Sequence, residues 1–265
     1  MALAAATGPH QLVVQTSFLG DTVLTTPLIA ELAKRGPVTV VVTPASAPLL
    51  ARNPDIHELI VYDKRGADAG LRGFRRLVQR VRAPEPASGA PRAIAYLAQR
   101  SARSGALALA AGYSRRVGFE GSAGQTLYTA RVPYREDRHH AERLWRLAFP
   151  ERSEGEHDPA PGGEATHPKL FPGAAERAVV DALLASSADS RELVALAPGS
   201  VWATKRWPGY AELAKRLAKR FRLAIVGGPA DSSEAASIAD FSGAQGVVDG
   251  TASLTLLASA ELIGR

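Results

Sequence analysis

The stretch that decides the fold is QLVVQTSFLGDTVLTTPLIAELAKRGPVTVVV, residues 11–42. A short apolar run, QLVVQ, reads as a buried strand, and TSFLGD reads as a turn. Leu24, Leu28 and Leu32 then recur every four residues, which is typical of one face of a helix. After Gly36, the mostly β-branched run PVTVVV is typical of a strand that a parallel sheet covers on both faces. The stretch therefore predicts a strand–helix–strand unit.

The same alternation continues along the chain and predicts an α/β fold built on parallel sheets. Residues 151–175 interrupt it, because they are rich in Pro, Gly and charge and show no periodicity. The alternation then restarts. We predict an N-terminal domain at 1–160, a linker at 161–175 and a C-terminal domain at 176–265.

Composition narrows the class of protein. The 265 residues include no cysteine, which excludes disulfides and thiolate metal sites, and the net charge of +6 attracts anions. No G-x-G-x-x-G or G-x-x-x-x-G-K-[ST] motif occurs, which argues against a dehydrogenase or a P-loop enzyme. His139 and His140 are adjacent and cannot share a helix face, so we predict no metal site. The chain lacks a signal peptide pattern and a long apolar run, so we expect a soluble cytoplasmic protein.

The turn after the first strand, TSFLGDTVLTTP at 16–27, lies where open α/β sheets bind ligands, at the carboxyl end of a strand. Asp21 opens the following helix and has two interpretations. It is a helix N-cap or a catalytic carboxylate, and the two roles do not exclude each other. Thr26 and Pro27 form an alternative pair of cap and first helical residue.

A second loop, APGSVWATKRWP at 197–208, follows another apolar run. Lys205 and Arg206 can meet phosphate charge, while Ser200 and Thr204 offer hydroxyls. Two of the three tryptophans of the chain lie in this loop, and burying them beside two cations is unfavourable without a compensating partner. An anion site is thus favoured over a solvated basic loop.

Two further segments carry weaker signals. In AIVGGPADSSEAA, at 224–236, glycines end a strand, and Asp231 and Glu234 follow as candidates for ribose hydroxyls, with a capped turn as the simpler interpretation. In GLRGFRRLVQRVR, at 70–82, arginines surround an apolar stripe. This helix is either exposed to solvent or binds the surface of anionic lipid.

Five segments, in order along the chain, resemble the lipopolysaccharide heptosyltransferases of glycosyltransferase family 9, and most of all their heptosyltransferase II subgroup. They are SFLGDTVLTTPLIAEL at 17–32, RNPDIHELIVYDKRG at 52–66, QRSARSGALALAAGYSRRVGF at 99–119, PGSVWATKRWP at 198–208 and VGGPADSSEA at 226–235.

The resemblance implies a GT-B fold, in which two Rossmann-like domains face a cleft. The first domain binds the acceptor and the second binds the nucleotide sugar. The family transfers heptose from ADP-L-glycero-D-manno-heptose to the inner core of lipopolysaccharide, an acceptor of the heptosyl-Kdo2-lipid A type, with inversion and without a metal or other cofactor. It also implies a monomer that works at the inner face of the inner membrane and binds no nucleic acid.

By the same resemblance, Asp21 is the general base. Lys205, with Ser200 and Thr204, meets the departing diphosphate, and Asp231 meets the ribose, with Glu234 as second choice. Ser17, Arg100 and Arg103 are assigned to the anionic acceptor.

One departure concerns the D-S-G-x-x-H segment of the family, which does not occur before the last residue, Arg265. We expect an incomplete second domain that binds the donor weakly. Two rival functions are another GT-B nucleotide-sugar enzyme, a glycosyltransferase or an epimerase, and a non-enzymatic basic module that binds polyanions.

Overall fold

The computed structural model describes residues 8–85, 92–151, 163–185, 189–242 and 247–265. The chain forms two compact units, Met1–Leu170 and Phe171–Arg265. The division falls inside the stretch predicted as a linker. Part of that stretch lies outside the described residues, and the bounds 1–160, 161–175 and 176–265 stay a prediction.

The first unit is built on a six-stranded sheet in which every strand pair is parallel. The strand order is β3-β2-β1-β4-β5-β6. The strands are β1 (Gln11–Val14), β2 (Val38–Val42), β3 (Glu58–Val61), β4 (Ile94–Leu97), β5 (Arg115–Phe119) and β6 (Ala130–Val132). The chain reverses its direction of travel across the sheet between β1 and β4, and ligands of open α/β sheets bind at such a switch point.

Helices cover both faces of this sheet and create two apolar cores. They are α1 (Leu19–Leu24), α2 (Thr26–Ala33), α3 (Ala47–Leu50), α4 (Gly70–Arg80), α5 (Ala102–Ala110) and α6 (His140–Arg146). On one face, α2 and α6 contribute Leu28 and Leu144 to the core that includes Val13 and Val40. On the other, α4 and α5 contribute Leu77 and Leu107. The spacing of Leu28 and Leu32 predicted the buried face of α2.

The second unit has a parallel sheet of three strands, β7 (Leu193–Leu196), β8 (Arg222–Ile225) and β9 (Val248–Asp249), in the order β7-β8-β9. Its helices are α7 (Ala174–Ala185), α8 (Tyr210–Leu217), α9 (Ser232–Ser242) and α10 (Leu256–Ile263). Two further cores lie on the two faces, around Ala224 and Val248 and around Ile225 and Ala214. The predicted α/β class with two parallel sheets is confirmed.

Across the described ranges, no helix is both long enough and apolar enough to cross a membrane.

Candidate functional site

Asp21 lies in the first turn of α1, just past the carboxyl end of the central strand β1. Its Oδ2 accepts a hydrogen bond from the Ser17 hydroxyl at 2.6 Å. The same hydroxyl lies 2.5 Å from Oε1 of Gln15, whose side chain is buried and donates through Nε2 to Thr25 Oγ1 and Ala98 O at 3.1 and 3.2 Å. The Ser17 N–H also donates to this amide oxygen at 3.2 Å, so the buried Gln15 side chain positions the residue whose hydroxyl holds the Asp21 carboxylate.

The interpretation of Asp21 as an N-cap is wrong. The helix begins at Leu19, inside the predicted turn, so its N-cap is Phe18 in an extended conformation. A second boundary is also shifted by one residue, because Thr25 is the N-cap of α2 and Pro27 is the second helical residue rather than the first. Since Asp21 is not the cap, its carboxylate is free to face Ser17 and the neighbouring pocket.

A pocket of about 390 Å³ surrounds Asp21 and contains two arginines. The Arg100 guanidinium lies 4.7 Å from the centre of the Tyr134 ring, and the Arg143 guanidinium lies 4.4 Å from it. Arg100 also donates through Nη2 to Gly121 O at 2.7 Å. Two cations stacked on one aromatic ring thus line the pocket that holds a carboxylate, which suits an anionic substrate group.

His140 belongs to the same pocket, although no sequence pattern distinguishes it from His139. Its Nε2 lies 3.8 Å from Oδ1 of Asp21. Burial lowers the pKa of His140, the Asp21 carboxylate raises it, and Arg143 and His139 lower it. The net direction is downward, so the imidazole is neutral at pH 7.

A larger cavity of about 950 Å³ adjoins the first, since Ser17 and Gln99 line both. Three cations stand at this cavity: Lys64, Arg65 and Arg103. Lys64 donates to Thr16 O at 2.8 Å, and its pKa is lowered by burial first and then by Arg65 and Arg103. Apolar side chains complete the lining, among them Val14, Tyr62, Phe74, Leu77 and Leu107.

The predicted acceptor residues are therefore only partly brought together. Ser17 lines both cavities, whereas Arg100 lines the smaller cavity and Arg103 the larger. Sequence reasoning missed Lys64 and Arg65. The only available signal was their position directly after a predicted strand, in YDKRG.

In the second unit, the loop after β7 holds the other predicted group of residues. Ser200 Oγ accepts from the Trp202 N–H at 3.2 Å, and Arg206 Nε donates to Ser200 O at 2.8 Å. Thr204 and Lys205 are exposed on a 3-10 turn. Among the described residues, the Lys205 ammonium has no hydrogen-bond or ion-pair partner, so it is available to a ligand.

The expectation that this loop buries its tryptophans is wrong. Trp202 is 58% exposed and Trp207 is 53% exposed. Trp207 lies edge-on to Tyr210, with ring centres 5.4 Å apart, and covers Gly209. Because both rings are more than half exposed, Lys205 and the hydroxyls of Ser200 and Thr204 are the groups of this loop that could bind an anion.

Asp231 connects the loops that follow β7 and β8, whose carboxyl ends lie at one edge of the sheet. Its Oδ2 accepts from the Gly228 N–H at 2.9 Å. A Cβ on Gly199 would lie 2.4 Å from the Asp231 carboxylate carbon, so the two loops touch only because residue 199 is glycine. Glu234 is half-buried in the first turn of α9.

Within the described parts of the chain, no group of three or more His, Cys, Asp or Glu side chains could hold a metal ion.

These features define a two-unit α/β protein with a carboxylate and cations at the ligand edge of its first sheet. The model of glycosyltransferase family 9 (heptosyltransferase) matches residues 92–263, more than half of the chain. The chain belongs to this family. It is accordingly a glycosyltransferase, and its family acts in the biosynthesis of the lipopolysaccharide core.

Solved structures agree on the fold. A family 9 glycosyl transferase of Veillonella parvula is 20% identical, with a TM-score of 0.77 over 96% of this chain and 73% of that one. The E. coli ADP-heptose lps heptosyltransferase II is 21% identical, with a TM-score of 0.71 over 96% and 76%. The E. coli heptosyltransferase WaaC, solved with ADP, is 18% identical, with a TM-score of 0.66 over 96% and 77%. The fold is the GT-B fold of these enzymes. No curated protein sequence matches the chain significantly.

Proposed function

We propose that the chain transfers heptose from ADP-L-glycero-D-manno-heptose to the inner core of lipopolysaccharide, on an acceptor of the heptosyl-Kdo2-lipid A type. Transfer inverts the anomeric centre and uses no metal. One observation carries the proposal: a carboxylate held by Ser17 stands at the switch point of the first sheet, in a pocket lined by Arg100 and Arg143.

Asp21 is the general base in this proposal. It takes the proton of the acceptor hydroxyl while that oxygen forms a bond to the anomeric carbon of the heptose. The bond between that carbon and the diphosphate breaks at the same time, and ADP leaves with the electron pair. Attack opposite the leaving group accounts for inversion.

The acceptor is held by charge in the first unit. Arg100 and Arg103 meet its carboxylate and phosphate groups, and Lys64 and Arg65 extend the cationic surface of the larger cavity. Burial is the main cause that lowers the pKa of Lys64, and the charges of Arg65 and Arg103 lower it further. An anionic ligand would relieve this crowding of like charges, which supports the role.

The donor is held by the second unit. Lys205 steadies the negative charge that grows on the departing diphosphate, with Ser200 and Thr204 as hydroxyl donors. Asp231 accepts from the ribose with the oxygen that Gly228 does not use, and Glu234 is the second choice. The donor substrate is thus the only small molecule required, and no cofactor takes part.

The enzyme works as a cytoplasmic monomer at the inner face of the inner membrane, where its lipid-linked acceptor is made, and it binds no nucleic acid. Helix α4 supports the membrane location. Arg72 and Arg75 are exposed on it, and Leu71 beside them is 83% exposed. Arginines around an exposed leucine suit the headgroup region of an anionic bilayer.

A donor screen by calorimetry tests the proposal against its rivals. We expect the chain to bind ADP-heptose and ADP, and to bind UDP-N-acetylglucosamine at least 10-fold more weakly. Preferential binding of a UDP-sugar would favour the other class of nucleotide-sugar enzyme. Binding of heparin that is stronger than that of ADP-heptose, and that salt abolishes, would favour the polyanion-binding module.

A further inference from the structure

The Asp21 carboxylate has a different neighbour at each oxygen. Ser17 donates to Oδ2 at 2.6 Å, and Nε2 of His140 stands 3.8 Å from Oδ1. The histidine is the first residue of α6, and α6 packs against α1 and α2 through the apolar core. Because its backbone belongs to a packed helix, the ring is held next to the carboxylate.

The other nitrogen of the ring is unsatisfied. Nδ1 of His140 is buried and has no hydrogen-bond partner among the described residues. A buried polar atom without a partner is unfavourable, so a purely structural histidine would be better replaced by an apolar residue here. The edge of the ring that faces a polar group is the Nε2 edge, toward Asp21.

We infer that His140 is a positioning residue for Asp21. Its neutral ring carries the proton on Nε2, facing Oδ1, and together with Ser17 it fixes the orientation in which the carboxylate receives the acceptor proton. This inference rests on the proposed role of Asp21 as general base.

The charged groups around the His140 ring make the expected transfer rate depend on pH. Asp21 faces the ring from α1, Arg143 lies on α6 and His139 is the N-cap of that helix. Arg100 lines the same pocket from the segment after β4. Burial, the largest influence, lowers the pKa of His140 below 6.5. At more acid pH the protonated ring forms an ion pair with Asp21 and competes with the acceptor for the carboxylate, so the rate falls as pH decreases through the pKa of His140.

Two substitutions distinguish the positioning role of His140 from the effect of its protonation. Glutamine places an amide N–H near the position of Nε2 but does not titrate. We expect His140→Gln to keep kcat within about threefold at pH 8 and to lose the acid limb below pH 6.5. We expect His140→Leu to lower kcat about 10-fold at every pH, with KM for the donor unchanged. His57→Gln, at an exposed residue outside the pocket, is the control. Equal behaviour of His140→Leu and wild type would overturn the inference.

A second measurement, which does not depend on transfer activity, completes the test. In the intact chain, the pKa of the His140 ring is followed by NMR before and after Asp21→Asn. Removing the carboxylate removes the influence that raises this pKa, so it should fall, and an unchanged value would overturn the inference. If the pKa of His140 falls but Asp21→Asn transfers heptose normally, the contact between His140 and Asp21 is supported and the proposed role of Asp21 as general base is contradicted. If Asp21→Asn is inactive and both His140 variants resemble wild type, only the inference fails.

Discussion

The Ser17 hydroxyl lies between two acceptors, 2.6 Å from Oδ2 of Asp21 and 2.5 Å from Oε1 of Gln15. A hydroxyl has one proton, so it can donate to only one of them at a time. Gln15 is 1% exposed and is held by two further hydrogen bonds. The Ser17 N–H donates to the same Gln15 oxygen at 3.2 Å, so Ser17 stays anchored to the buried amide while its hydroxyl proton goes to the Asp21 carboxylate.

Ser17→Ala should lower kcat about 10-fold to 100-fold, because a hydrogen bond to a charged group contributes about 1.5–3 kcal/mol. Steady-state kinetics at saturating donor measures this. Ser17→Thr, which keeps a hydroxyl, is the matched control and should retain more activity. Equal rates for Ser17→Ala and wild type would show that Ser17 has no part in holding the base.

Lys205→Ala should weaken ADP binding about 10-fold or more, and Arg206→Ala should weaken it less. The side chain of Lys205 has no partner among the described residues, whereas Arg206 Nε donates to Ser200 O at 2.8 Å and is already used within the loop. Calorimetry with ADP on the two variants decides between them. Equal losses would indicate a generic basic loop.

Gly199→Ala should weaken ADP binding about as much as Asp231→Ala does. The added Cβ would lie 2.4 Å from the Asp231 carboxylate carbon, so the side chain of Asp231 must move and give up its hydrogen bond from Gly228. Gly264→Ala is the control, since its nearest neighbours would lie at 3.5 Å. Normal ADP affinity in Gly199→Ala would exclude Asp231 from the donor site.

Acid should destabilise the first unit through His10. Burial is the main cause that lowers the pKa of this residue from 6.5, and its Nε2 lies 2.9 Å from Thr39 Oγ1. Below pH 6.5 the unfolded chain binds a proton that the folded chain does not, so the free energy of unfolding falls as pH decreases toward the folded pKa.

Thermal unfolding between pH 7.5 and 5.5 should therefore show a decreasing Tm, and His10→Gln should show a smaller decrease. His140 contributes with the same sign, so some slope remains. A variant whose slope equals that of wild type would mean that His10 is protonated as easily in the folded chain as in the unfolded chain.

The fold could be predicted because apolar residues recur with the periods of buried strands and helices. The candidate site could be predicted only for residues that directly follow a strand. Residues 11–42 alternate between two buried strands and a helical apolar face, and the structure confirms them. Local details were less predictable. The turn at 16–21 already contains the first helical residues, because helix boundaries depend on tertiary contacts that local sequence does not show.

His140 could not have been found from the sequence, because its proximity to Asp21 is created by the packing of α6 beside α1. No spacing rule joins residues so far apart along the chain. The prediction that the two tryptophans of the loop are buried failed for a related reason. Their number in the loop suggested burial, but Trp202 and Trp207 are both more than half exposed.

The most direct test of the central claim is transfer by Asp21→Asn. The substitution keeps the size of the side chain and removes its capacity to take a proton. Single-turnover transfer from ADP-heptose to a heptosyl-Kdo2-lipid A acceptor should fall about 10²-fold to 10⁴-fold, the usual contribution of a general base. The affinity for ADP-heptose, measured on the same preparation, should stay unchanged, and chelator should not affect wild-type transfer. Near-normal kcat in Asp21→Asn would contradict the account, because the carboxylate would then be a structural feature of α1 and not the base.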